Sequence, residues 1–190
     1  MKYVEVEQKF RLLTPAERLK DQLTARDATP GTPSHQIDNY YNAPHRDFLD
    51  AGEGGISEWL RVRVEENSAS LNFKRWHPAG EPVKTHCDEY ETTVSDPQAV
   101  TLLLAGLDFK PLVTVDKVRE EWVCEGIAVA FDTVAGLGTF IEFEFKGDTG
   151  SVEEATARIE AFIASLEIQV GDRINAGYPH LVLGMAPATA

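Results

Sequence analysis

The first strand-like segment of the sequence carries charged residues on one of its two faces. Glu5, Glu7 and Lys9 alternate along it with apolar residues such as Val6 and Phe10. Side chains of a strand point to opposite faces in turn, so the three charged side chains share one face. A buried charge needs an opposite charge, a metal or water. This face therefore either meets solvent or lines a wet, ligand-holding cavity.

The same separation of charged and apolar faces recurs in later strand-like segments. Guanidinium and ammonium groups bind phosphate oxygens, and clustered carboxylates bind Mg²⁺ or Mn²⁺, which bridge phosphates. Together these faces predict a lumen that holds a metal-bound polyphosphate. The alternative is a self-neutralising salt-bridge network without a ligand, which would add little net stability. The residues concerned are Arg61, Arg63, Lys74, Glu89, Glu91, Lys117, Arg119, Asp132, Glu142, Glu144 and Lys146.

The elements that must position these residues are mainly strands with a few helices. Helix-start signals at Thr14, Asp96 and Ser151 predict helices that begin directly after them. The strand-like segments have apolar faces opposite their charged ones, and helices can cover those apolar faces. Closing an antiparallel sheet into a barrel removes its edges, so we expect a closed barrel. Residues 43–57 are expected to form a long loop, and residues 186–190 a disordered tail.

Length and composition limit the classes of protein to consider. The chain has 190 residues, which fits a single domain over residues 1–185. Its net charge of −13 disfavours nucleic acid and anionic membranes as partners. No apolar run is long enough to span a bilayer. Cys87 and Cys124 lack metal-type spacing, so we expect reduced thiols and a cytoplasmic protein. We also expect the protein to be a monomer or a homodimer.

The charged segments also resemble a known family. Glu5-Val6-Glu7-Gln8-Lys9 is similar to the E-x-E-x-K signature of the CYTH superfamily, which takes its name from bacterial class IV adenylate cyclase and thiamine triphosphatase. The resemblance covers residues 3 to about 183. Further segments agree in order, namely Asp38-Asn39-Tyr40-Tyr41, Leu60-Arg61-Val62-Arg63, Phe73-Lys74, Lys117-Val118-Arg119 and residues 131–144.

The resemblance implies an α+β fold and a set of site residues. The implied fold is a closed, mainly antiparallel, eight-stranded β-barrel with helices packed outside, called a triphosphate tunnel, and the implied cofactor is Mg²⁺ or Mn²⁺. Strand parity and position add Lys146 and Arg173 to the site. The implied roles are triphosphate binding by Lys9, Arg61, Arg63, Lys74, Lys117 and Arg119, metal binding by Glu5, Glu7, Asp132, Glu142 and Glu144, support of the basic side chains by Glu89 and Glu91, and catalysis by Lys74 and Tyr40.

Two reactions would use this set of residues. In one, water attacks the terminal phosphorus of a triphosphate, and in the other the ribose 3′-oxygen of ATP attacks the α-phosphorus, which gives cyclic AMP and pyrophosphate. A cyclase must also orient adenosine, and no segment is recognisable as a base pocket. We therefore expect hydrolysis of an inorganic or organic triphosphate, thiamine triphosphate included.

Two alternatives to hydrolysis stay open. The Gly136-Leu137-Gly138 segment resembles the adenylate cyclase branch, so cyclisation of ATP is the first alternative. The second is a non-catalytic polyphosphate- or nucleotide-binding module. A missing metal-binding position would favour that module, and no such position is missing from the sequence.

Overall fold

The computed structural model describes residues 3–50, 56–148 and 150–184, so the tail at 186–190 and part of the loop at 43–57 lie outside it. None of the helices in this part of the chain is long and apolar enough to cross a membrane. The elements are β1 (Val4–Glu5), β2 (Glu7–Leu12), α1 (Ala16–Thr24), β3 (Ser34–Asn42), β4 (Glu58–Val64), β5 (Ala69–His77), β6 (His86–Thr93), α2 (Pro97–Gly106), β7 (Lys110–Cys124), β8 (Ile127–Val134), β9 (Gly138–Phe145), α3 (Val152–Ala164), β10 (Val170–Arg173) and α4 (Tyr178–Val182).

The ten strands of the described residues form one antiparallel sheet that curls into a half-barrel. Their order is β1-β6-β5-β4-β3-β7-β8-β9-β2-β10. The expected antiparallel sheet is confirmed, but the expected closed barrel of eight strands is wrong. The first strand breaks at Val6 into two pieces that pair with distant parts of the sheet, β1 with β6 and β2 with β9. A short β10 pairs with β2, so that β1 and β10 form the two edges of the sheet.

Register brings the charged side chains of neighbouring strands together on one face of the sheet. Lys9 on β2 lies opposite Glu142 on β9, and Glu142 in turn lies opposite Ala130 on β8. One step along, Glu144 lies opposite Ala128. Directly opposite residues share a face, so β8 presents small side chains where its neighbour presents long charged ones. This arrangement leaves space beside the charged groups.

The other face of the sheet packs against α1 and α3. Leu19 and Leu23 of α1 and Ile159 and Phe162 of α3 are buried in a cluster with residues of β2 and β7–β9, such as Phe143. Burial of one large apolar side chain contributes about 1.5–3 kcal/mol. The apolar layer outside the sheet therefore fixes the strands whose opposite face carries the charges.

The helix starts agree with two of the three sequence signals. The side chains of Asp96 and Ser151 each accept a hydrogen bond from a backbone N–H in the first turn of α2 and α3, as expected of N-caps. The expected cap at Thr14 is wrong, because Pro15 occupies the N-cap position of α1. The Thr14 hydroxyl instead accepts a hydrogen bond from the backbone N–H of Gln169 at 2.6 Å.

Candidate active site

A cavity of about 240 Å³ lies on the charged face of the sheet. All of the side chains expected to bind triphosphate line it, and so do Tyr40, Glu89, Glu91 and Lys146. Every expected metal ligand except Asp132 also lines the cavity. The side chains brought together in this way are Glu5, Glu7, Lys9, Tyr40, Arg61, Arg63, Lys74, Glu89, Glu91, Lys117, Arg119, Glu142, Glu144 and Lys146.

Arg61 and Arg63 project from β4 above a buried aspartate of β3. Arg63 donates two hydrogen bonds to Asp38, at 2.6 and 2.8 Å, whereas the nearest contact of Arg61 to this carboxylate is 3.5 Å. Burial alone would raise the pKa of Asp38, but the Arg63 hydrogen bonds and the charge of Arg61 hold that pKa well below its usual range. Asp38 is therefore ionised and neutralises part of the charge of the two arginines.

Lys117 and Arg119 of β7 lie above a second buried aspartate, Asp132. Arg119 contacts both Asp132 and Glu142, whereas the Lys117 Nζ is 3.6 Å from the Asp132 carboxylate. The Tyr178 hydroxyl donates to Asp132 at 2.7 Å. Burial, with the nearby positive charge of Arg119, lowers the pKa of Lys117 to about 7. Asp132 thus lies beneath the basic side chains as their counter-ion and is 0% exposed.

Lys9 joins the β2 side of the cavity to the segment before α4. Its Nζ is 3.0 Å from Glu142, donates to the Ala176 carbonyl at 3.2 Å and lies 4.1 Å from the centre of the Tyr178 ring. Burial alone would lower the pKa of Lys9, but the Glu142 carboxylate raises it above its ordinary value. Glu142 is therefore a counter-ion of Lys9 and Arg119, although it also reaches the cavity wall.

Lys74, an expected catalytic residue, is held by a carboxylate of the first strand. Its Nζ contacts the two oxygens of Glu5 at 2.6 and 2.7 Å and lies 3.5 Å from Glu89. Asn72 donates to Glu89 at 2.6 Å, which fixes that carboxylate beside Lys74. Tyr40, the other expected catalytic residue, is buried, and burial with the nearby charge of Asp38 raises its pKa. Their catalytic roles stay predictions.

Glu5, Glu7 and Glu144 form the acidic side of the cavity. Burial raises the pKa of Glu5, and the charges of Glu7 and Glu144 raise it further, against the opposing effect of Lys74. Burial also raises the pKa of Glu144, whose carboxylate is 2.7 Å from Lys146. In the described ranges no group of three His, Cys, Asp or Glu side chains is arranged so that it could hold a metal ion. The three carboxylates supply the hard oxygen donors that Mg²⁺ and Mn²⁺ prefer, and the charges of Glu7 and Glu144 both act on Glu5.

A second, smaller cavity of about 30 Å³ adjoins the first and shares Glu7 and Lys9 with it. Arg173, expected at the site, lines this second cavity, and its guanidinium donates to the Lys84 carbonyl at 3.1 Å. Strand parity would have found Asp38, because it lies two residues from Tyr40. Tyr178 also lines the cavity, but strand parity could not have predicted it, because the segment before it is irregular. Other lining residues that the sequence reasoning missed are Gln36, Trp59, Asn72, Trp76 and Glu121.

Comparison with known proteins identifies similar sequences and similar solved structures. The CYTH domain model matches residues 4–178. A candidate adenylate cyclase of Methanocaldococcus jannaschii, MJ0240, is 26% identical over 147 residues, which cover 77% of this chain and 80% of the relative. The solved structure of PH1819 from Pyrococcus horikoshii has a TM-score of 0.75 at 26% identity and covers 95% of this chain and 98% of its own.

A second solved structure with this fold is that of HpAC1 of Hippeastrum, a candidate adenylyl cyclase with a dominant triphosphatase activity. Its TM-score is 0.66 at 18% identity, over 97% of each chain. At this identity the likeness concerns the fold.

Proposed function

Because the chain belongs to the CYTH domain family, we propose that it is a divalent-metal-dependent enzyme that acts on a triphosphate in the charged cavity. The reaction that we propose is hydrolysis of the terminal phosphate with release of orthophosphate. Cyclisation of ATP is the alternative, and a non-catalytic polyphosphate- or nucleotide-binding module is the third possibility. The same fold carries a dominant triphosphatase activity in HpAC1.

The observation that carries the proposal concerns the basic wall of the cavity, which is formed by Arg61, Arg63, Lys117 and Arg119. Two of these side chains, Arg61 and Lys117, are only partly paired with acceptors of the protein itself. The Arg61 Nε atom is buried and has no hydrogen-bond partner within the described part of the chain. A buried donor without a partner costs about 1–3 kcal/mol. Lys117 is likewise buried, with its nearest carboxylate at 3.6 Å. A phosphate oxygen beside the Arg61 guanidinium, which lines the cavity, would add an acceptor to this incompletely paired group, and its negative charge would favour protonated Lys117.

The size of the cavity favours the triphosphate group itself as the ligand. Its volume of about 240 Å³ is below the roughly 300–1,000 Å³ of sites that enclose drug-sized ligands. The adjoining cavity, at about 30 Å³, offers space for about one water molecule. An adenosine group would therefore extend beyond the cavity or require the protein to move. Hydrolysis needs no bound sugar or base, and for this reason we place it before cyclisation.

The proposed division of roles follows the two sides of the cavity. Arg61, Arg63, Lys117 and Arg119 would bind phosphate oxygens from the β4 and β7 side, with Lys9 and Lys74 beside them. Bound Mg²⁺ or Mn²⁺ would supply Lewis-acid stabilisation of the phosphoryl oxygens and an activated water. The residues best placed to hold it are Glu5, Glu7 and Glu144. Glu5 and Glu144 each pair with one lysine, whereas Glu142 and Asp132 each pair with two basic side chains, and we assign these two primarily to that task.

Turnover of three substrates by the purified protein tests the proposal. The protein is incubated with tripolyphosphate, ATP or thiamine triphosphate in the presence of Mg²⁺ or Mn²⁺. We expect orthophosphate to be released from tripolyphosphate at least as fast as from ATP. Chelation should abolish the reaction and added metal restore it. Glu5→Gln and Glu144→Gln should each lower kcat by at least about 100-fold. Asp116→Asn, at an exposed carboxylate paired with His35, is the matched control and should leave kcat unchanged.

Three outcomes would contradict the proposal. Activity that persists in chelator and in Glu5→Gln would exclude the metal-dependent reaction. Tight binding of tripolyphosphate without turnover of any substrate would favour the non-catalytic module. Cyclic AMP and pyrophosphate as the main products from ATP would favour the cyclase alternative.

A further inference from the structure

Two arginines of like charge project from the same face of one strand. Arg61 and Arg63 are two residues apart on β4, and both line the cavity. Such neighbours repel each other, and their long side chains have several rotamers, so nothing in the strand itself fixes the direction of either guanidinium. A positioning group must come from another element.

Asp38 of β3 supplies this group. It lies directly opposite Arg63 in the sheet register, and it is 1% exposed. Arg63 holds it through Nε and Nη2, at 2.6 and 2.8 Å, in the two-bond geometry that fixes the plane of a guanidinium. The same carboxylate lies 3.5 Å from the Arg61 Nη1. One buried carboxylate thus orients Arg63 directly and attracts Arg61 toward the same point.

Asp38 does not line the cavity, so any effect that it has on a ligand must pass through the arginines. We propose that Asp38 is the positioning residue of this basic wall. It holds Arg61 and Arg63 in the arrangement that the reacting triphosphate requires. This inference rests on the proposed function for its consequence in catalysis. Its structural part, the control of the arginine side chains, can be tested without any turnover.

The charges distinguish positioning from simple support of the fold. Asp38→Asn would remove one negative charge from beneath the basic wall while it keeps nearly the same shape. The net positive charge facing the ligand would rise, so a polyanion should bind as well or better. The arginines would lose their fixed geometry, however, and a displacement of about 1 Å at a reacting group costs on the order of 100-fold in rate. Positioning therefore predicts a loss of kcat without a loss of affinity.

The kinetic test compares Asp38→Asn and Asp38→Glu with the wild-type protein and with Asp116→Asn. We expect Asp38→Asn to bind tripolyphosphate in calorimetry, without divalent metal, with a Kd equal to or below the wild-type value. Its kcat should fall by about 10–100-fold. Asp38→Glu keeps the charge but moves it by one methylene, and its kcat should lie between those of the wild type and Asp38→Asn. Asp116→Asn should match the wild type in both quantities.

The turnover-independent test observes the arginine side chains by ¹⁵N NMR of the Nε–H groups. In the wild type the Arg63 Nε–H donates to Asp38, so its signal should be sharp and slow to exchange with solvent; in Asp38→Asn it should broaden or exchange faster. An unchanged Arg63 signal would overturn the inference. So would a wild-type kcat in either folded Asp38 variant, or a Kd that rises in proportion to the loss of kcat. A wild-type protein without turnover would refute the proposed function alone, because the NMR result would still decide the role of Asp38.

Discussion

At the scale of single residues, the basic side chains of the cavity differ in how fully they are paired. Arg63 and Arg119 each contact a buried aspartate through two hydrogen bonds, and Lys74 contacts both oxygens of Glu5. Lys117 and Arg61 have only distant carboxylate contacts, at 3.6 and 3.5 Å. A ligand gains most where a buried charge is least satisfied. The incompletely paired residues should therefore respond most strongly to a bound triphosphate.

Lys117 should give triphosphate binding a characteristic pH dependence. Its pKa in the free protein is about 7, and a bound polyanion raises that pKa by favouring the charged form. Below pH 7 the lysine is already charged, whereas above pH 7 binding must take up a proton. Affinity should therefore fall by about tenfold per pH unit above pH 7, with uptake of close to one proton at pH 8. Calorimetry in buffers of different ionisation enthalpy measures this uptake directly.

Lys117→Arg is the matched control for this pH dependence. Arginine keeps its charge at every accessible pH, so the variant should bind tripolyphosphate without the proton uptake. The account of Lys117 is wrong if the wild type takes up no proton at pH 8, or if Lys117→Arg takes up as much as the wild type.

Arg61 and Arg63 should differ in their importance for stability. Repulsion between the two arginines would predict little loss of stability on removal of either one. The contacts with Asp38 separate them: Arg63→Ala removes both short hydrogen bonds from a buried carboxylate, at a cost of about 3 kcal/mol, whereas Arg61→Ala removes a 3.5 Å contact. Urea denaturation should show the larger loss for Arg63→Ala. Equal free energies of unfolding for the two variants would contradict this assignment.

At the scale of elements, the first strand connects the two sides of the cavity. It breaks at Val6, so that Glu5 belongs to β1 beside β6 while Glu7 and Lys9 belong to β2 beside β9. The buried Val6 packs in the core with the helices, and its carbonyl accepts a hydrogen bond from the Phe145 N–H at 3.0 Å. This one short segment therefore brings Glu5, Glu7 and Lys9 to the cavity, and Glu5 also pairs with Lys74 of β5.

The helices outside the sheet should support stability without direct effect on the ligand. Ser151→Ala removes the side chain that caps α3 and should lower the free energy of unfolding by about 1 kcal/mol. Because α3 packs on the apolar face of the sheet, the Kd for tripolyphosphate should not change. Thermal denaturation and calorimetry on the same sample check both parts. A weakened Kd in the folded variant would show that the outer layer controls the site, contrary to this account.

The sequence predicted the parity of the strands better than their pairing. Alternation alone placed Glu5, Glu7 and Lys9 on one face, and the caps at Asp96 and Ser151 follow from local chemistry. The break at Val6 could not be predicted in this way, because it depends on which distant strands pair with each half of the segment. Strand parity places Asp38 on the same face as Tyr40, but its contact with Arg63 depends on the pairing of β3 with β4, which the alternation of residues does not predict.

At the scale of the whole molecule, the charge of the cavity contrasts with the charge of the chain. The chain carries a net charge of −13, yet the cavity lining contains as many basic as acidic side chains. The basic ones from β4 and β7 lie on one side and Glu5, Glu7 and Glu144 on the other. A metal-bound polyphosphate presents anionic oxygens and a cation to complementary sides of such a cavity. This separation is the whole-molecule basis of the proposed triphosphate chemistry.

The products formed from ATP test the central claim most directly. The protein, supplied with Mg²⁺ or Mn²⁺, is incubated with ATP that carries labels on the adenine and on the terminal phosphate, and the products are separated by chromatography. Hydrolysis of the terminal phosphate predicts labelled orthophosphate and ADP in equal amounts, with cyclic AMP minor or absent, and Glu144→Gln should form neither product. Cyclic AMP with an equal amount of labelled pyrophosphate as the main outcome would contradict the claim, and would assign the same cavity to cyclisation.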